Sequence, residues 1–355
     1  MRKLESLVIK AGPSAYKEIK DHGFDLTKIK TIMGASGGPK WLVLSHLDRL
    51  ILDKIVPNLE GPVQLISSSI SSWRFICYAQ KDPIQAINNF EDGYINQYFP
   101  SEYTKKKFSN QLREMFDHIC PPSAIKDVIN HAVFETNIVT AQSHHILKTE
   151  NNPILLFGLL LTFIANFTNR KNLDYFFSRV LFTSSNNQII IDKENKLKTK
   201  YIELTEGNIK DVVVASSSIP IYLEGVKRIL GSPKEVYRDG GIVDYHFDYS
   251  PVEKGGFVLY PHFFDLIAPG WFDRSIASRH SNPLNHQRTI MICPSHKFIS
   301  ELPLSKVPDR SDFTKLSNQQ RIKNWKKVVS SCERLADEFN QILEKNQIES
   351  FIKPI

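Results

Sequence analysis

Leu65-Ile66-Ser67-Ser68-Ser69-Ile70-Ser71-Ser72-Trp73-Arg74 runs from strand-like into helix-like sequence through five serines. Val63 to Ile66 is a short apolar run behind Gly61-Pro62, the pattern of a buried strand. From Ile70 onward, Trp73, Phe75, Ile76 and Ala79 fall at helical spacing. A strand that turns sharply into a helix can hold a serine hydroxyl out at the bend. The residues two before and two after that serine must then be small, because neighbouring backbone comes close. Ser69, between Ser67 and Ser71, meets the condition; Ser68 would put Ile66 and Ile70 at the crowded positions. On its own, the stretch reads more readily as a serine-rich turn with a helix N-cap.

Two other turns share this strand-to-turn character. Lys28 to Met33 reads as a strand running into Gly34-Ala35-Ser36-Gly37-Gly38, and Pro39 stands in the first turn of a helix whose apolar residues include Trp41, Leu42, Leu44 and Leu47. Glycines there free backbone N–H groups to face an anion, and the helix N-terminus adds its dipole. The spacing matches neither a P-loop nor a dinucleotide fingerprint. Val236 to Arg238 leads into Asp239-Gly240-Gly241, where glycines let a carboxylate approach a partner closely enough to act as general base. An ordinary Asx turn is the plainer alternative for that tripeptide.

In this order the three segments resemble the patatin-like phospholipase family, in its bacterial branch. Gly37-Gly38-Pro39-Lys40 matches that family's oxyanion loop around its last two glycines and basic residue, Ser69 its nucleophile, and Asp239-Gly240-Gly241 its aspartate turn. Ala215 to Pro220 is similar to the Ala-Ser-x-x-x-Pro stretch that precedes the aspartate, and Pro269 to Asp273 and Leu302 to Phe313 to later segments of the branch. The resemblance implies an α/β, three-layer fold with a central mostly parallel sheet and helices on both faces. It implies a lipid acyl hydrolase with a Ser69–Asp239 dyad, an oxyanion site at Gly37 and Gly38, support from Gly34, Lys40, Gly240 and Gly241, and no cofactor. The chain departs from the pattern at Ser36, Trp41, Ser67 and Ser71, where the family has glycine. The two elbow serines raise a second reading, a catalytically silent scaffold of the same fold. A third is a Ser-Asp-His triad, since His246, His262, His280, His286 and His296 all follow Asp239. Asp244-Tyr245-His246-Phe247-Asp248 alternates acid and imidazole but lacks a second ligand cluster, so no metal is expected.

The remaining sequence bounds the setting. With 355 residues, 41% hydrophobic and 23% charged, the chain reads as one domain with a mostly helical insertion at about 82–182 and a C-terminal helix at about 317–345. A capping box at Ser317 and Gln320 opens that last helix. Four scattered cysteines and no secretory leader favour a cytoplasmic protein, with export by a leaderless route left open. Net charge is +7, without any nucleic-acid-binding motif, so nucleic acid is discounted and peripheral contact with an anionic membrane is the better use of the charge. The apolar run Ile154 to Ala165 is too short to span a bilayer. It reads as a buried core helix or, more sharply, as a helix touching lipid near a substrate entrance.

Overall fold

The computed structural model describes residues 4–98, 104–185, 197–249 and 255–355. Numbered along the chain, the strands of its one sheet lie in the order β11 (Lys353–Pro354), β1 (Leu7–Ala11), β10 (Thr289–Pro294), β9 (Phe257–Pro261), β2 (Ile29–Gly34), β3 (Val63–Ser68), β4 (Phe134–Ser143), β5 (Phe177–Thr183) and β6 (Thr199–Glu203). Two further strands, β7 (Val226–Lys227) and β8 (Val236–Asp239), attach through β8 to β4. The centre, from β10 through β9, β2 and β3 to β4, is parallel throughout. The fold is therefore mixed α/β, a mostly parallel central sheet flanked by helices. Covered on both faces, β2 and β3 are buried at every position but the second, without the alternation of a one-sided strand.

Because β2 and β3 are parallel neighbours, the turns that follow them emerge at the same edge of the sheet. Open α/β sheets bind ligands outside the carboxyl ends of their strands. The helix after β3, Ile70–Tyr78, is buried along its whole length. Arg74 on it is bidentate to the equally buried Asp48, with Nε donating to Oδ2 at 2.8 Å, and Tyr78 Oη donates to Asp48 Oδ1 at 2.7 Å. This satisfied cluster anchors the helix to Ser45–Leu50 behind the sheet edge.

Several elements differ from expectation. Within the mostly helical insertion expected at about 82–182, Asn152–Thr168 is a helix, but residues 177–183 form β5, hydrogen-bonded on both sides and buried at every position. A strand covered on both faces carries no period-2 signal, so its apolar residues pass for a helix. The segment at 82–182 is otherwise helical, with β4 and β5 running through it. The expected C-terminal helix is two, Asn318–Ser331 and Glu333–Glu344, meeting at Cys332, and its capping box is formed.

Candidate active site

Register along β4 brings Ser69 and Asp239 together. Strand β3 runs beside the first part of β4 and ends with Ser68 opposite Val139. Strand β8 runs the other way along the same edge and ends with Asp239 opposite Thr140. The two strands thus meet nearly end to end, and Ser69 Oγ donates to Asp239 Oδ2 at 2.8 Å. The other carboxylate oxygen, Oδ1, accepts from Gly241 N at 2.7 Å. Gly240 has to be glycine, since a Cβ there would sit 2.2 Å from Val139 O and 2.7 Å from Ser68 Oγ.

Ser69 has φ 58° and ψ −125°, a conformation that L-residues avoid and that costs about 1–3 kcal/mol. Its surroundings hold it there. Ser69 N donates to Ser216 Oγ at 2.9 Å, Ser216 Oγ donates to Val139 O at 2.7 Å, and Asp239 N donates to Ser218 O at 3.0 Å. The Ala215–Pro220 stretch therefore braces both partners. The sequence marks this stretch by its resemblance, but not the bracing roles of Ser216 and Ser218, because a buried hydroxyl or carbonyl that steadies a distant turn leaves no local pattern.

The glycine loop sits beside this pair. Gly37 and Gly38 line the same small cavity as Ser69, Asp239 and Gly241. Ser36 N is taken by Tyr245 O at 2.8 Å, whereas the Gly37 and Gly38 amides donate to no acceptor among the described residues. A Cβ on Gly37 would lie 2.6 Å from the Phe263 ring, and Gly38 has φ +56°, so neither position tolerates a side chain easily. Lys40 stands outside the cavity. Its Nζ donates to Tyr245 Oη at 3.4 Å and lies 5.8 Å from the Phe263 ring centroid, which ties the loop to the wall that Phe263 forms.

The elbow serines are hydrogen-bonded parts of the turn. Ser71 Oγ accepts from Ser68 N at 2.9 Å and lies against the carbonyls of Gly34 and Ser68. Ser67 Oγ donates to Asn137 O at 3.1 Å. Gly34, at the end of β2, leaves the room that Ser71 needs.

Burial pushes the Asp239 carboxyl up to about 6, against the lowering effects of the Ser69 hydroxyl, the Arg310 charge and the Gly241 amide. Arg310 is a further residue of the site; it lies in the Leu302 to Phe313 stretch that carries the resemblance, but no sequence pattern assigns it a role. It lines both the small cavity and an adjoining one of about 630 Å³, whose walls include Ile70, Trp73, Phe108, Leu112 and Phe313. The carboxylates on either side of it are already engaged. Asp309 accepts from Lys306 Nζ at 2.9 Å and from Ser311 N at 2.7 Å, while Asp312 accepts from Lys306 Nζ at 2.6 Å and Trp325 Nε1 at 3.0 Å. Arg310 faces the cavity, with the Tyr222 ring centroid 5.9 Å away.

No histidine among the described residues lines either cavity or bonds Asp239. His246 is buried, with Nδ1 accepting from Ala268 N at 3.0 Å. Asp244 pairs with Arg179 and Asp248 with His286, so the alternating acids and imidazole point to different partners. Among the described residues no three His, Cys, Asp or Glu side chains are grouped for a metal.

No family model matches the chain, and no curated protein matches it. Among solved structures, it is similar to VipD from Legionella pneumophila at 12% identity and a TM-score of 0.31, over 73% of this chain and 54% of that one. The chain thus spans about half the length of that structure. A likeness at this level leaves the function to be argued from the site itself.

Proposed function

We propose that the chain is a patatin-like serine acyl hydrolase that cleaves lipid acyl esters. The observation that carries this reading is the Ser69–Asp239 hydrogen bond, with Ser69 in the wall of a largely apolar cavity of about 630 Å³. Cavities of roughly 300–1,000 Å³ hold small-molecule ligands, and an apolar one suits an acyl chain. Ser69 Oγ attacks the ester carbonyl carbon while its proton passes to Asp239 Oδ2. A carboxyl poised near pH 6 accepts that proton at neutral pH and can return it. The oxyanion gathers the open amides of Gly37 and Gly38, each donor contributing about 3 kcal/mol in comparable sites. Collapse of the tetrahedral adduct expels the alcohol, which takes the proton back from Asp239. Water then repeats the sequence on the acyl-serine and frees the acid.

Arg310 adds a preference. A guanidinium with no ion pair among the described residues, beside the reacting groups, favours esters whose alcohol portion carries an anion, as a phosphodiester does. The test is turnover of p-nitrophenyl acyl esters and of phospholipid, with Ser69→Ala as the blank. Ester cleavage that disappears in a folded Ser69→Ala protein supports the reading. Equal turnover in both proteins, or none in the parent, sinks it.

A further inference from the structure

The helix Asn152–Thr168 turns more apolar side chains to solvent than to the core. Gly158, Thr162 and Asn166 fall at i, i+4 and i+8 and are buried beside Leu155 and Leu159. Its outer face carries Leu156, Phe157, Leu160 and Phe167, each more than half exposed, together with Ile154 and Ile164. A surface helix of a globular protein normally shows the reverse. Asn166 Nδ2 donates to Asp273 Oδ1 at 2.7 Å, which ties the inner side to the turn at Asp273, and Thr162 Oγ1 is satisfied within the helix by Gly158 O at 2.8 Å.

We propose that this face seats the protein in the interfacial region of an anionic lipid bilayer. No Asp, Glu, Lys or Arg occurs from Asn151 to Asn169. Of the basic residues that flank the helix, Lys148 is paired with Glu235 and Arg170 with Asp273, and Lys171 is exposed. A charge-free apolar face on a chain of net charge +7 complements a lipid surface with negative headgroups. A second copy of the chain is the weaker occupant. At 1.5 Å per residue, 17 residues present a stripe of about 25 by 10 Å, well below the ~800 Å² per partner of a stable dimer. The helix lies in the interface and does not cross it, since among the described residues no helix is long and apolar enough to cross a membrane. The seat is also continuous with the candidate site. Asn166 and Arg170 both bond Asp273, which closes the turn Trp271–Asp273, and Trp271 lines the cavity beside Ser69. The lysines at 105–107 are a lesser contributor, because Lys105 is half-buried with Nζ donating to Glu150 O at 3.0 Å.

Lipid seating stands without the hydrolase reading; delivery of substrate from the bilayer rests on it. The experiment is co-sedimentation with phosphatidylcholine vesicles, with and without phosphatidylserine, comparing the parent with Phe157→Ser/Phe167→Ser. Both phenylalanines are exposed, so the variant should melt like the parent. The parent should bind the anionic vesicles, less so as salt rises, and the variant at least about tenfold more weakly. Hydrolysis of a water-soluble ester should be the same in both proteins, which separates a failure of seating from a failure of catalysis. A parent that ignores vesicles, a variant that binds like the parent, or a parent dimer that the variant dissociates would each overturn the proposal.

Discussion

Gly34 and Ser71 share one space: a Cβ placed on Gly34 would lie 2.4 Å from the Cβ of Ser71. The turn around Ser69 therefore carries its side chain at 71 and its gap at 34. Ser71 also holds the Ser68 amide, so its hydroxyl stabilises the bend instead of merely fitting it. Ser71→Gly should cost about 1–3 kcal/mol, the penalty for leaving a buried amide unpaired. Gly34→Ala should be strongly destabilising alone and less so in the Ser71→Gly background, with Phe75 at 3.0 Å limiting the rescue. Denaturant midpoints of the four proteins measure this coupling; additive costs would contradict it.

Asp239 sets two pH dependences. Since the base must be ionised, kcat/KM should rise with pH through a midpoint of about 6. Stability should run the other way. The folded carboxyl titrates near 6, above its ordinary 3.8, so the fold favours its protonated form. That contribution is complete below about 3.8 and is lost as pH rises through 6. Asp239→Asn keeps a neutral side chain at every pH. It should lose nearly all activity yet be more stable than the parent at pH 8, by up to about 3 kcal/mol, with the gain gone by pH 4. Midpoints at the two pH values decide it, and an equal difference at both would be the wrong result.

Arg310 acts on the same carboxylate from a distance. Its charge lowers the Asp239 carboxyl, so Arg310→Gln should move the midpoint of the rate profile upward from about 6. The variant should also lose more kcat/KM on an ester with an anionic alcohol portion than on a neutral one. A profile that stays in place, with equal losses on both esters, would leave Arg310 with a packing role only.

The legible parts of this site were the turns. Gly37-Gly38, Ser69 and Asp239-Gly240-Gly241 each read locally as a tight turn, which restricts the residues that can occupy it, and only their combination in this order points to a site. What brings Ser69 and Asp239 together is the register of β4, which carries no mark of which strands will pair with it. The stretches Ala215 to Pro220 and Leu302 to Phe313 stand out by resemblance, but the bracing by Ser216 and Ser218 and the place of Arg310 depend on contacts that sequence does not display. The helix Asn152–Thr168 shows a subtler limit. Its sequence displays an apolar run interrupted by Gly158, Thr162 and Asn166, but periodicity cannot say that this interrupted side faces inward.

Fluorophosphonate labelling, with the modified peptide located by mass spectrometry, addresses the Ser69–Asp239 assignment most directly. The phosphonyl group should appear on Ser69, at a rate that rises with pH through about 6 and falls by orders of magnitude in Asp239→Asn. A folded protein that takes no label, or takes it on another serine, would contradict the assignment.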